Sequence, residues 1–227
     1  MFRSMLHKAA FVCILLSFIS LQAICHQQQL LVSATVVRTA VVVKETKFRK
    51  DFTRYMNSYV KENKDVLQRI KQRDAASFKM MDAMFSKYQL PSDLKYLAVV
   101  ESELKSSARS RVGAVGYWQL MPETAQLLGL KVTSKYDERK HLYKSTQAAA
   151  IYLRDLHREF GDWLLVLAAY NSGPGPVHKA IRKSGSHDFW KLQAYLPAET
   201  RAHVKNIIAT RYYFEGQADS AGFMLTL

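Results

Sequence analysis

The 227-residue sequence predicts an all-α protein. Strand signals are nearly absent after residue 46, whereas apolar residues recur every three to four positions along most of the remaining chain. Proline or aspartate precedes several of these apolar runs and glycine follows them, which is typical of helix ends. No internal repeat is present, and the length suits one helical core with additional segments.

The N-terminus has the features of a secretory signal peptide. Residues 1–8 are basic, residues 9–24 are apolar, and Ala23 and Cys25 are small residues near a cleavage point. The sequence therefore predicts a signal peptide over residues 1–25 and export to the periplasm or cell envelope.

Two alternatives for this segment stay open at the level of sequence. It is a retained membrane anchor if it is not cleaved, although the apolar stretch is short for a span. A lipoprotein signal ending at Cys25 is disfavoured because Ile24 is bulky where a small residue is usual. Residues 26–46 are predicted to be a linker, either a short strand or an exposed tether.

Charge and cysteine content restrict the partners. The net charge is +14, and removal of Arg3 and Lys8 with the signal leaves +12, because that segment carries no acid. Such a surface attracts polyanions, which are nucleic acids in the cytosol and wall polymers, peptide carboxylates or lipid head groups outside it. Cys13 and Cys25 are the only cysteines, so the processed chain would have no disulfide. The histidines are scattered without zinc-site spacing, and we expect no metal and no cofactor.

Residues 47–89 are predicted to form an N-terminal helical segment. A first helix begins near Phe48 and a second carries methionine and aromatic residues at helical spacing, which indicates core packing. The apolar positions are Phe48, Phe52, Tyr55, Met56, Tyr59, Val60, Val66, Leu67 and Ile70, then Phe78, Met81, Met84, Phe85 and Tyr88.

The next predicted helix begins at Ser92, an N-cap residue after Pro91, and its apolar stripe includes Leu94, Leu97, Ala98 and Leu104. Glu101 falls on this stripe, whereas Glu103 lies about 200° around the helix. Burial disfavours the charged form of a carboxyl group, which suits a general acid working near neutral pH. Glu101 is therefore the candidate acid; the alternative is a structural glutamate that hydrogen-bonds a loop.

Five further helices follow from local signals. Pro122 and Gly129 enclose a short helix, Ser145 or Thr146 caps one that ends at Phe160, and Asp162 caps a helix that is apolar on all sides and hence buried. Residues 171–176 are predicted to be a tight loop, followed by a helix to Lys183, a short piece at Phe189 and Trp190, and a last helix from Pro197 to about Glu215.

Three polar clusters with apolar neighbours occur in order on this helical scaffold: Glu101-Ser102, Gly116-Tyr117-Trp118-Gln119 and Ala169-Tyr170-Asn171. Together they resemble the lysozyme-like (goose-type, Slt-type) family 1 lytic transglycosylases, in particular the catalytic domain of the membrane-bound type D enzymes. The resemblance covers about residues 90–215. It is supported by Leu90-Pro91, Asp137-Glu138-Arg139, Thr146, Gly161-Asp162-Trp163 and residues 196–201.

The resemblance implies a lysozyme-like catalytic domain over residues 90–216, with a C-terminal tail at 217–227. It implies that peptidoglycan glycan strands are the substrate and that Glu101 acts as acid and then as base. In such a reaction the C6 hydroxyl of MurNAc attacks C1 and leaves a 1,6-anhydroMurNAc end without consuming water. LysM wall-binding repeats, which members often carry, have no counterpart in this sequence.

The resemblance also implies substrate-binding residues, and each has a chemical reason. Ser102 would orient the carboxylate or the sugar, Gly116 would let a backbone approach the sugar, and Gln119 offers a donor and an acceptor. Tyr170 would donate its hydroxyl to Glu101, and Asn171 would bond the substrate or close the loop. Structural alternatives exist for each of them, and Trp118 is assigned to the core.

Two positions depart from the family pattern: Tyr117 stands where leucine is common, and His203 stands where tyrosine is usual. Glu123 and Glu199 occupy first helical turns after prolines, where acids complement the helix dipole.

Three rival functions follow from the same residues. A lysozyme-type muramidase on the same fold needs a second inward carboxylate, for which Glu123 and Glu199 are the candidates. A non-catalytic peptidoglycan-binding protein is disfavoured because the polar clusters are intact. A nucleic-acid binder is disfavoured by the predicted signal peptide and the absence of a recognised motif.

Overall fold

The computed structural model describes residues 50–216. The chain divides into two compact units, Met1–Arg54 and Tyr55–Leu227, and the second unit carries every element discussed below except the first residues of α1. The predicted signal peptide (1–25), linker (26–46) and C-terminal tail (217–227) lie outside the described residues.

Nine helices are found within residues 50–216, which confirms the all-α prediction. They are α1 (50–73), α2 (Ala75–Lys87), α3 (Lys95–Ser102), α4 (Pro122–Leu127), α5 (Leu142–Phe160), α6 (Trp163–Ser172), α7 (Pro174–Ser184), α8 (Phe189–Leu192) and α9 (Ala198–Glu215). Short 3₁₀ turns cover Ser92–Leu94, Glu138–Lys140 and Gln193–Tyr195. In this part of the chain the β pairing consists of three isolated bridges. None of the described helices is long and apolar enough to cross a membrane.

Helix α6 is the centre of the core, as its apolar sequence predicts. Every residue from Trp163 to Ala169 is buried, and α6 packs against α5, α7 and α9. Asp162 caps the helix through its Oδ1, which accepts the backbone N–H of Leu165 at 2.9 Å. Because α6 is fully enclosed, its last turn is held in a fixed position relative to the neighbouring helices.

The helix that carries Glu101 is shorter than predicted. Ser92 makes no capping hydrogen bond and instead begins a 3₁₀ turn, and α3 itself begins at Lys95. The helix stops at Ser102 because Glu103 and Leu104 both adopt left-handed backbone conformations, with φ of 53° and 55°. Glu101 therefore lies in the last turn of α3 and is not in the middle of a longer helix.

Two other predicted boundaries differ from the structure. Helix α5 begins one turn before the predicted caps, because the His141 ring accepts the N–H of Lys144 at 3.4 Å, and Ser145 is already buried within the helix. The predicted loop over residues 171–176 is reduced to Gly173, whose φ of 78° turns the chain directly from α6 into α7. Asn171 is consequently part of a helix.

The buried position of α6 generates a stability prediction. Leu167 is fully buried, so Leu167→Ala is expected to lower the free energy of unfolding by about 2–5 kcal/mol through lost burial and a residual cavity. Leu127→Ala is the matched control, because Leu127 is 88% exposed at the end of α4. Its expected change is within about 0.5 kcal/mol.

Urea unfolding followed by circular dichroism measures both variants. Equal losses in the two variants would contradict the assignment of α6 as the centre of the core.

Candidate active site

Glu101 lies where α3 packs against α9, and its side chain is 15% exposed. Its Oε1 is 2.9 Å from Nε2 of His203 on α9. Within residues 50–216 the other oxygen, Oε2, has no hydrogen-bond partner. One carboxyl oxygen is therefore held by the protein and the second remains available to a substrate.

His203 was noted in the sequence only as a departure from the family pattern, and its contact with Glu101 was not predicted. The two residues are 102 positions apart, so no local spacing relates them. The His203 side chain is 10% exposed, and its Nδ1 is buried without a hydrogen-bond partner among the described residues. The signal available in the sequence was a titratable residue at a position where the family resemblance implies that tyrosine is usual.

Ser102 does not contact the Glu101 carboxylate, contrary to one of its two predicted roles. Its residue is 6% exposed, and its hydroxyl lies 2.8 Å from the carbonyl oxygen of Tyr117 and 3.1 Å from that of Ala98. A hydroxyl has one hydrogen to donate, which these two carbonyls share. Ser102 thus joins the end of α3 to the loop that follows.

That loop, residues 113–120, is held by the buried guanidinium of Arg139. Nη1 donates to the carbonyl oxygens of Gly113 and Leu120, both at 3.0 Å. Nε and Nη2 donate to the two carboxylate oxygens of Asp137 at 2.9 and 2.8 Å, which is the bidentate geometry of a strong ion pair. These hydrogen bonds lower the pKa of Asp137 below its ordinary value. The hydrogen bonds from Arg139 to the loop were not predicted from the sequence.

Gly116 is required by the protein's own backbone, which differs from the predicted approach of a sugar. Its φ is 82°, and a Cβ atom at this position would lie 2.1 Å from the carbonyl oxygen of Arg139. Real Cβ atoms do not come so close to an oxygen, so a side chain here would push apart the loop and the segment that carries Arg139.

Gln119 braces the same loop through its amide nitrogen. Nε2 donates to the carbonyl oxygens of Gly116 at 2.9 Å and Ala108 at 3.2 Å, and the residue adopts a left-handed φ of 45°. The donor half of the Gln119 amide therefore has a structural role, because it braces the loop. The acceptor Oε1 has no partner within residues 50–216.

The expected hydrogen bond from the Tyr170 hydroxyl to Glu101 is not formed. The hydroxyl donates to the carbonyl oxygen of Trp118 at 2.7 Å. Burial, followed by the nearby negative charge of Glu101, raises the pKa of Tyr170 well above its ordinary value, so the hydroxyl keeps its proton. Trp118 is fully buried, as predicted, and its indole N–H donates to the Thr146 hydroxyl at 3.0 Å.

Asn171 is oriented by Thr200, a contact that the sequence did not predict. Its Oδ1 accepts the hydroxyl of Thr200, which is 1% exposed in the first turn of α9, at 2.9 Å. The Nδ2 group has no partner among the described residues, so its two hydrogens remain available.

The three polar clusters of the sequence are thus joined by hydrogen bonds. Ser102 links the first cluster to the second through the Tyr117 carbonyl, and Tyr170 links the third to the second through the Trp118 carbonyl. Helix α9 adds His203 and Thr200 from outside all three. The result is a carboxyl group with one free oxygen on a scaffold whose other polar side chains are each hydrogen-bonded to the protein.

The other acids near these segments are exposed or already paired. Glu103 pairs with Lys105 at 2.5 Å, and Glu138 pairs with Lys144. Glu123 and Glu199 are exposed in the first turns of α4 and α9, where the sequence placed them. In the described range no hydrogen bond or ion pair joins Glu101 to another carboxylate, and no group of three potential metal ligands is found.

The Gly116 geometry yields a prediction about stability. Gly116→Ala is expected to lower the free energy of unfolding by about 3 kcal/mol or more, because backbone strain adds to a clash with the Arg139 carbonyl. The matched control is Gly113→Ala, since Gly113 also has positive φ (96°) but nothing within 4 Å of the added atom. Strain alone should cost about 1–2 kcal/mol there. Urea unfolding gives both values, and equal losses would show that the clash is relieved without cost.

Comparison with known proteins agrees with this geometry. The family model for the transglycosylase SLT domain matches residues 80–193. Over 152 residues the chain is 39% identical to membrane-bound lytic murein transglycosylase D of Escherichia coli K12, covering 65% of this chain and 33% of that protein. The chain therefore spans about a third of the length of this relative.

Solved structures show the same relationship. The 70-kDa soluble lytic transglycosylase of Escherichia coli superposes with a TM-score of 0.53 at 26% identity, covering 63% of this chain and 26% of that one. An inactive mutant of the lytic transglycosylase Slt from Pseudomonas aeruginosa gives a TM-score of 0.52 at 27% identity, covering 60% and 23%. Because the family model covers half of its length, this chain belongs to the transglycosylase SLT domain family, as the sequence motifs indicated.

Proposed function

We propose that this chain is a peptidoglycan lytic transglycosylase. It would cleave the β-1,4 bond between MurNAc and GlcNAc and leave a 1,6-anhydroMurNAc end. The observation that carries the proposal is the Glu101 carboxyl group, which is largely buried, anchored through Oε1 and free at Oε2. The relatives named above are lytic transglycosylases, which supports the same reaction for this chain.

The first step of the proposed reaction is protonation of the leaving group. Glu101 would give its proton from Oε2 to the glycosidic oxygen as the bond to C1 breaks. Positive charge then develops at C1, where the N-acetyl group of MurNAc stabilises it. The inactive Pseudomonas aeruginosa mutant, in which one glutamate is replaced by glutamine, is consistent with dependence on a single acid in that protein.

The second step returns the proton. Glu101, now a carboxylate, would accept the proton of the MurNAc C6 hydroxyl while that oxygen bonds to C1. One proton leaves Oε2 and one returns to it, so the enzyme is regenerated without water. An inverting hydrolase would instead need a second carboxylate about 6.5–9.5 Å away to activate water. The two candidates that the sequence offered for this second carboxylate, Glu123 and Glu199, are both exposed in the first turns of α4 and α9.

Gln119 and Asn171 are the proposed contacts to the sugar. Oε1 of Gln119 is an unused acceptor for an acetamido N–H, and Nδ2 of Asn171 is an unused donor for a hydroxyl or carbonyl oxygen. In each case the opposite end of the amide is bonded to the protein, which fixes which end faces outward. Ser102, Gly116 and Tyr170 have a different role: they hold the loop and helices in place around Glu101.

The proposed location is the cell envelope, reached through the predicted signal peptide. The net charge of +14 supports this setting, because a basic protein associates with anionic wall polymers. Attachment to the membrane through an uncleaved or lipidated N-terminus belongs to the same proposal.

The acid is tested by Glu101→Gln, which keeps the shape of the side chain but removes its transferable proton. The rate of release of soluble muropeptides from purified sacculi should fall about 100-fold or more while the melting temperature stays close to that of the wild type. Glu199→Gln is the matched control and should retain most of the activity, because Glu199 is exposed. Retention of a tenth of the activity by folded Glu101→Gln would assign the acid to another residue.

The attacking group is tested by digestion in water enriched in heavy oxygen. Because the substrate's own C6 hydroxyl attacks, mass spectrometry should find anhydro ends that carry no label and weigh one water less than hydrolysis products. Reducing MurNAc ends that carry the heavy isotope would identify a muramidase. Binding to sacculi without any cleavage would identify a non-catalytic wall-binding protein.

A further inference from the structure

We propose that His203 is a positioning residue for Glu101: a neutral imidazole whose Nε2–H donates to Oε1 and leaves the transferable proton on Oε2. The inference rests on the proposed function, because it concerns how the acid of that reaction is held. The protonation state of His203 can be measured in the absence of substrate.

The geometry defines a buried hydrogen bond between two helices. His203 Nε2 and Glu101 Oε1 are 2.9 Å apart, and the two side chains are 10% and 15% exposed. With water largely excluded, each proton shared by the pair has few alternative positions. The hydrogen bond at Oε1 also restricts rotation of the carboxyl group, so Oε2 keeps one direction.

The unpartnered Nδ1 of His203 indicates which partner holds the proton. The pair can hold the same two protons as a neutral acid beside a neutral imidazole, or as a carboxylate beside an imidazolium. An imidazolium carries a hydrogen on Nδ1 as well, yet Nδ1 is buried and has no acceptor among the described residues. An unpaired donor on a charged ring costs more than an unpaired lone pair on a neutral one. When the pair holds both protons, the arrangement therefore keeps His203 neutral and places the second proton on Glu101.

The same hydrogen bond supports the next step. When Glu101 gives its proton to the glycosidic oxygen, it becomes a carboxylate, and the hydrogen bond from Nε2 becomes charge-assisted and stronger. When the C6 hydroxyl returns a proton to Oε2, the bond relaxes to its initial strength. His203 neither gains nor loses a proton during the cycle, and its donor stabilises the state in which Glu101 is ionised.

The other titratable groups around this pair do not hydrogen-bond to Glu101, so the positioning role falls to His203. On α6, the Tyr170 hydroxyl is committed to the Trp118 carbonyl, and on α9, Glu199 precedes His203 by one turn and is exposed. Among the described residues, His203 is the polar side chain that hydrogen-bonds to Glu101.

The protonation state is tested by ¹⁵N NMR of the full chain near neutral pH. The ring resonances of His203, assigned by their loss in His203→Gln, should show a neutral ring with hydrogen on Nε2 and none on Nδ1. A proton on Nδ1, in either an imidazolium or the opposite tautomer, would overturn the proposal. This measurement does not depend on any activity of the chain.

The effect on catalysis is tested with a pair of variants. His203→Phe removes the donor and should lower kcat on soluble peptidoglycan about tenfold or more with little change in KM. The alkaline limb of its pH–rate profile should move to higher pH, because loss of a donor destabilises the carboxylate. His203→Gln retains an N–H near the same place and should recover kcat to within about threefold, with the limb near its wild-type position.

The outcomes separate this inference from the proposed function. If the wild type forms anhydro ends but His203→Phe matches it in kcat and in pH profile, the function holds and the role of His203 is wrong. If the wild type forms labelled reducing ends, the proposed reaction fails, while the NMR result still decides the state of His203. If neither variant folds, the His203 ring resonances are assigned from through-bond correlations in the wild type, and the same measurement remains the test.

Discussion

The buried guanidinium of Arg139 is the interaction on which the site depends most. It neutralises Asp137 and binds the carbonyl oxygens at both ends of the loop from Gly113 to Leu120, while its own carbonyl closes against Gly116. A charge this deeply buried is stable only when it is paired and hydrogen-bonded, and the bonds of Nε, Nη1 and Nη2 hold the loop to one conformation. The Tyr117 and Trp118 carbonyls, which accept hydrogen bonds from α3 and α6, are presented by that loop.

The sequence was most informative where structure is determined by neighbouring residues. The apolar run of α6, its Asp162 cap and the Gly161 stop of α5 are local signals, and the structure contains each of them. The predicted helix boundaries were wrong where a different residue supplied the cap. Helix α5 begins one turn earlier than predicted, because the His141 ring accepts the N–H of Lys144. The end of α3 was missed because two left-handed residues that are not glycine, Glu103 and Leu104, leave no recognisable stop signal.

The sequence indicated which residues belong to the candidate site, but it did not indicate which atoms they contact. Glu101 became the candidate acid from its place on an apolar stripe and from a family resemblance, and its side chain is largely buried, as that stripe predicts. The partners of Ser102, Tyr170 and Asn171 were not predictable, because each bond joins segments far apart in sequence. Periodicity reports which face of a helix is buried, but it carries no information about which distant polar atom meets that face.

Helix α9 has a consequence for how the candidate site becomes complete. The family match ends at residue 193, yet His203 and Thr200 reach the site from Ala198–Glu215, the last helix of the described chain. During synthesis this helix emerges after every other part of the site. A nascent chain would therefore hold Glu101 without its hydrogen-bond partner until α9 docks, and a fragment cut at the family boundary would stay in that unfinished state.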